Sequence, residues 1–197
     1  RDRSVSRGLG DVYKRQKEYG ITVTDGIEPS VGMAEIARKR GMNVTIATAE
    51  EADFGHGDYD TLLFNGTPSY IGDLASVVRK AYDALPDGGR IILIDVPKES
   101  SYGIMYNLAL ALGTWDHPLL EGVYPPNPYP IEFVKVAAWR TTAEKVALLE
   151  AAGFGDLTFA QTLTSHPLCS NDEEEQPVEG YGKGDYVAVT ARKCVKP

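Results

Sequence analysis

Gly8 and Gly10, in "SRGLGDVYKRQ", stand one residue apart, and Glu28 follows eighteen positions past Gly10. Glycines so spaced let a backbone close on a phosphate, and an acid about 20 residues on can hold a ribose. That loop needs a buried strand before it and a helix after it. What precedes it is "RDRSVSR", with Val5 the one apolar residue among four charges. A desolvated Arg or Asp without a partner costs several kcal/mol, so no central strand forms there and the glycines receive no binding role. Glu28 keeps its case on its position. It ends an apolar stretch and precedes a helix start, where a carboxylate can accept hydrogen bonds from both ribose hydroxyls. The other reading is an acid that favours the helix dipole.

The remaining chemistry-bearing types say less. His56, His117 and His166 are scattered without ligand spacing to Cys or one another, so no metal is expected. Cys169 and Cys194 make no disulfide framework, and a reducing cytoplasm is expected. A formal net charge of −8 argues against a general polyanion binder, so nucleic acid is not an expected partner. No run approaches 18 apolar residues, so no membrane span is expected, and the charged start has no apolar signal-peptide region. With 197 residues, 43% of them hydrophobic, the chain can build one core of ordinary domain size.

The elements that must position Glu28 alternate. "GITVTDGIEPS" predicts a strand over 21–27 with Ser30 as helix N-cap, and "VGMAEIARKR" a helix with Met33, Ile36 and Ala37 on one face. Strands are predicted over 43–47 and 60–65, with a brief helix near 50–53 between them. Leu62, Leu63 and Phe64 run without alternation, which predicts burial on both faces of a parallel sheet. Leu74, Val77, Val78, Ala81 and Leu85 form one helical stripe capped by Asp73. "LPDGG" makes a turn, and "RIILIDV" gives a strand over 90–96. Residues 97–140 break this rhythm. "YGIMYNLALAL" reads as a helix, and a Pro- and aromatic-rich stretch without period follows. Thr141 and Glu144 fit a capping box opening a helix with Val146, Leu149 and Ala152 near one face. Two late strands, over 157–164 and 185–191, flank an acidic, Gly-rich loop. Ligands in open parallel sheets bind at the carboxyl ends of strands, which here are Glu28, Thr48–Glu50, Asn65–Ser69 and Asp95–Ser100.

In this order, "VTDGIEPSVGMAEIARKRG", "ATAEEADF", "YDTLLFNG" and "LPDGGRIILIDV" resemble the class I S-adenosylmethionine-dependent methyltransferases. So do "WRTTAEKVALLEAAGF" and "GDYVAVTARK", and the resemblance covers about residues 17–100 and 138–193. It implies an α/β, Rossmann-like sheet of strand order 3-2-1-4-5-7-6 with strand 7 antiparallel, S-adenosyl-L-methionine as cofactor, and a small-molecule methyl acceptor. It implies that Glu28 holds the ribose, that Thr48, Ala49 and Glu50 meet the adenine, and that Asn65 and Gly66 face the methionine part. "NGTPSY" departs in spacing from the Asn/Asp-Pro-Pro-aromatic signature of amino-methylating members and reads as a turn lining the pocket. Residues 101–140 would form a lid. Tyr70, Tyr102, Tyr106, Trp115 and His117, with Tyr124 and Tyr129, either line an acceptor pocket or pack on the sheet.

By this assignment a proper strand 1 is missing. Residues 1–16 resemble translated adapter or vector read-through, the alternative being a native disordered tail, and 17–197 form one domain. Loss of strand 1 would split the sheet, or close strand 2 onto strand 4, and weaken cofactor affinity. Two other readings stay open. One is a nicotinamide-dependent Rossmann oxidoreductase, whose nearest Tyr-x-x-x-Lys pair is Tyr13 and Lys17. The other is a non-catalytic α/β interaction module.

Overall fold

A computed structural model of the chain describes residues 23–125, 127–169 and 175–194. The stretch 1–16, the Tyr13–Lys17 pair and the start of the first predicted strand lie outside the described residues. The chain falls into two compact units, one ending at Gly55 and one beginning at His56.

The first unit is a β-α-β turn. Strand β1 (Asp25–Ile27) leads into helix α1 (Val31–Lys39) and strand β2 (Asn43–Thr45). β1 and β2 pair in parallel, Gly26 opposite Val44. Ser30 is the N-cap of α1, its hydroxyl accepting from the Met33 N–H, and Arg38 and Lys39 occupy the last turn. The buried face differs from the expected one. Ala34 and Ala37 pack with Met42 and Val44, while Ile36 is 41% exposed. Two small side chains let the helix lie close on the strand pair, and that sets its rotation. The helix expected near 50–53 is one hydrogen-bonded turn, Ala52 N–H to Thr48 C=O at 3.0 Å.

The second unit is built on a mixed sheet. Its strands are β3 (Thr61–Asn65), β4 (Arg90–Asp95), β5 (Phe154–Thr162), β6 (Val178–Glu179) and β7 (Tyr186–Lys193). They stand in the order β3-β4-β7-β5-β6. β3 and β4 are parallel, and β7 is antiparallel to both β4 and β5. The strands expected as 4, 5, 7 and 6 thus stand in that order, and those expected as 3 and 2 pair in the first unit. β6 was not expected, since its residues read as part of an acidic loop. The Gln161 amide, which accepts from the Lys183 and Gly184 N–H groups, ties that loop to β5.

Helix α2 (Leu74–Ala84) joins β3 to β4, with Asp73 accepting from the Ser76 N–H at 2.9 Å. All five residues of its predicted stripe are buried. Ile91, Leu93, Val187, Val189 and Ala191 have no exposed surface and form the middle of the sheet. Leu63 departs from the expected two-sided burial at 39% exposure, because β3 stands last in the order of this sheet. Between β4 and β5 lie helices α3 (Ser101–Leu112), α4 (Ile131–Val136) and α5 (Thr142–Ala152). α3 fits because residue 103 is glycine: a Cβ there would sit 2.0 Å from the Pro97 carbonyl oxygen. Among the described residues no helix is long and apolar enough to cross a membrane.

Candidate functional site

Glu28 follows β1 directly and is half-buried. Its N–H donates to the Thr45 carbonyl at 3.1 Å, and its Oε1 accepts from the Ser30 N–H at 2.9 Å. The carboxylate therefore steadies the entry to α1, as the helix-start reading expects. Thr48 holds the turn that follows it. Its N–H and hydroxyl both donate to Glu51 Oε2, at 3.2 and 3.0 Å, and the Glu51 N–H donates back to its Oγ1 at 3.3 Å. This reciprocal cap went unseen in the sequence, although Thr-x-x-Glu is its usual signature. Ala49 and Glu50 lie within the capped turn, Glu50 exposed.

In the second unit the carboxyl ends of β3 and β4 carry a denser constellation. Asn65 closes β3, and its Oδ1 accepts from the Tyr186 hydroxyl at 2.8 Å, which orients its amide. Gly66 then turns the chain off the strand at φ 65°, a left-handed conformation that glycine adopts without strain, and its N–H donates to the Ile94 carbonyl. A 3-10 turn over Pro68–Tyr70 follows. Ser69, at its middle, is buried and donates to Asp95 Oδ2 twice, from its N–H at 2.7 Å and its hydroxyl at 2.5 Å. The opposite side of the turn is held from the segment before α5. Arg140 donates to the carbonyls of Pro68, Ile71 and Gly72 at 2.9–3.0 Å, and the Ala138 N–H to that of Ser69 at 2.6 Å.

Behind Asp95 lies Lys145 on α5, only 1% exposed, with no hydrogen-bond partner for its Nζ among the described residues. α5 buries Thr142, Lys145 and Leu149 rather than the expected Val146–Leu149–Ala152 face. Burial pushes the Asp95 carboxyl up, against the pull of the Lys145 ammonium and the Ser69 and Val96 donors. Burial pushes Lys145 down, against Asp95 and Glu99. Tyr70, 42% exposed, has its phenol pushed up to about 12 by burial, then by Tyr129 and Asp95. Sequence reasoning placed Ser69 and Asp95 at strand ends but gave them no role. The one signal was an acid closing the apolar run "RIILID". Lys145 had none, because a lysine on an amphipathic helix reads as solvated.

The aromatics of residues 101–140 divide. Tyr102 and Tyr106 are buried with Met105, Ala109, Leu120 and Val134 in a cluster of their own. Tyr106 stacks on Trp139 at 4.9 Å and meets Trp115 and Tyr129 edge-on. Trp115 donates from Nε1 to the Tyr129 carbonyl at 2.7 Å and packs against Tyr124. His117 caps a 3-10 turn over Pro118–Leu120, its Nδ1 accepting from the Leu119 N–H at 3.2 Å.

No family model matches the chain. It is 27% identical over 191 residues to an uncharacterized protein of Methanocaldococcus jannaschii, covering 97% of this chain and 82% of that one. Uncharacterized mycobacterial proteins are 25% identical over 172 residues, of which the match spans about half, 54%. Among solved structures, geranyl diphosphate C-methyltransferase of Streptomyces coelicolor shares the fold at TM-score 0.61, with 13% identity over 95% of this chain and 68% of that one. A SAM-dependent methyltransferase of Thermotoga maritima, described as a possible histamine N-methyltransferase, matches at TM-score 0.76. It is 32% identical over 94% of this chain and 78% of its own. Identity at that level over most of both chains, on the strand order found here, identifies the chain as a member of the S-adenosylmethionine-dependent methyltransferases.

Proposed function

We propose that the protein transfers a methyl group from S-adenosyl-L-methionine to a small-molecule acceptor. The observation that carries this reading is the 32% identity to the Thermotoga methyltransferase. The residues present suit the cofactor. A half-buried carboxylate at a strand end, Glu28, offers acceptors to a ribose diol. The capped turn over Thr48, Ala49 and Glu50 offers backbone to an adenine. Asn65, its amide oriented by Tyr186, and Gly66, which turns the chain off β3 at a positive φ, suit the methionine part. Bound, the cofactor supplies an electrophilic methyl group, and the chain's own contribution is to hold and align. Tyr70 faces the acceptor from a turn fixed by Asp95 and Arg140. Tyr102, Tyr106 and Trp115 build the lid's core, and His117 shapes its 3-10 turn. The two free cysteines, both exposed, support the cytoplasmic placement.

Calorimetric titration with S-adenosylmethionine tests the reading. Saturable binding with a Kd in the micromolar to millimolar range is expected. Methyl transfer from labelled cofactor to a panel of small amines and phenols, histamine among them, should reveal the acceptor. No saturable heat at about 1 mM cofactor, together with no transfer, would sink the proposal.

A further inference from the structure

We propose that Lys145 is a positioning residue for the acceptor side of this site. Its buried ammonium supplies the counter-charge to Asp95, and Asp95 in turn fixes the Ser69 turn between Gly66 and Tyr70. The inference rests on the methyl-transfer reading above. Lys145 is 1% exposed and its Nζ makes no hydrogen bond to the described residues. An ammonium so placed is costly, and stability alone does not retain it, since apolar replacement of buried ion pairs is often neutral or better. Three charged groups bear on it: Asp95 at the end of β4, Glu99 in the following turn, and the like-charged Arg140 before α5. Glu99 already accepts from the Thr142 N–H at 2.9 Å. Asp95, 4% exposed, is the buried carboxylate of the set, and both Ser69 donors converge on its Oδ2. Ser69 is itself 2% exposed, so neither it nor Lys145 touches an acceptor. What they fix is the next residue, Tyr70, which is open to solvent.

The test reads the Ser69 amide by NMR hydrogen exchange, with calorimetry of S-adenosylmethionine on the same samples. In the wild-type chain, acidification through the Asp95 titration should lower protection at Ser69 selectively. Lys145→Met should raise Ser69 exchange at pH 7 about tenfold beyond the general rise that its loss of stability imposes on Ile91 and Leu93, and move that titration to higher pH. Unchanged Ser69 exchange overturns the proposal, and so does an equal rise at Ile91 and Leu93, which would mark Lys145 as packing alone. If Lys145→Met does not fold, the wild-type titration decides: Ser69 protection indifferent to pH overturns the proposal. Absence of both cofactor binding and methyl transfer in the wild type defeats the methyl-transfer reading, whereas the exchange data still decide whether Lys145 and Asp95 act on the turn.

Discussion

Asp95 and Lys145 pull against folding at neutral pH. The folded value of Asp95 lies above its ordinary 3.8, so its contribution is full below 3.8 and lost as pH rises through the folded value. That of Lys145 lies below 10.5, so its contribution is full above 10.5 and lost as pH falls through the folded value. Removing one partner leaves an uncompensated buried charge. Asp95→Asn and Lys145→Met should therefore each cost about 3–5 kcal/mol in denaturant unfolding, and the double variant much less than their sum. Additive losses would refute the pairing. Glu28 makes a different prediction. Glu28→Gln removes a charge-assisted acceptor, worth about 1.5–3 kcal/mol, so cofactor affinity should fall at least about tenfold in calorimetry. The Ser30 N–H can still donate to the amide oxygen, so the melting temperature should barely move.

At the scale of elements, capping and stripe positions were legible, and helix rotation was not. The Thr141–Glu144 capping box is present as read, each side chain bonded to the other's N–H. Thr141→Ala should cost about 1 kcal/mol. The hydrogen bonds from Thr141 hold the Glu144 carboxyl below its ordinary 4.5. Its contribution is therefore full above pH 4.5 and lost as pH falls through the lower folded value. The stability difference between wild type and Glu144→Ala, followed by thermal melts across pH, should shrink on that acid side. The same helix shows where pattern fails. Val146 and Ala152 matched the apolar face, yet Lys145 and Thr142 are buried instead, because the end of β4 and the turn after it present Asp95 and Glu99 to that side. α2, whose neighbours are apolar, buried its stripe as read.

For the whole molecule, both tryptophans, Trp115 and Trp139, pack against the cluster of Tyr102 and Tyr106. Fluorescence therefore reports that cluster, and far-UV circular dichroism the sheets and helices. Residues from His56 onward form one compact unit, so the cluster should unfold with the five-stranded sheet and the two denaturant transitions should coincide. A fluorescence transition at lower denaturant would show a cluster that opens by itself.

By itself the sequence determined the alternation of strands and helices, their order, the caps at Ser30, Asp73 and Thr141, and the family they resemble. Those signals are local, carried by residue spacing and by backbone chemistry at element ends. Tertiary structure alone decided that Ser69, Asp95 and Arg140 meet around one turn, that Lys145 is buried, and that Tyr102 and Tyr106 lie at the core of an aromatic cluster. Up to 76 residues separate these side chains in the sequence, from Ser69 to Lys145. Their meeting depends on which strand lies beside which and on how α5 is rotated, and no residue spacing encodes either.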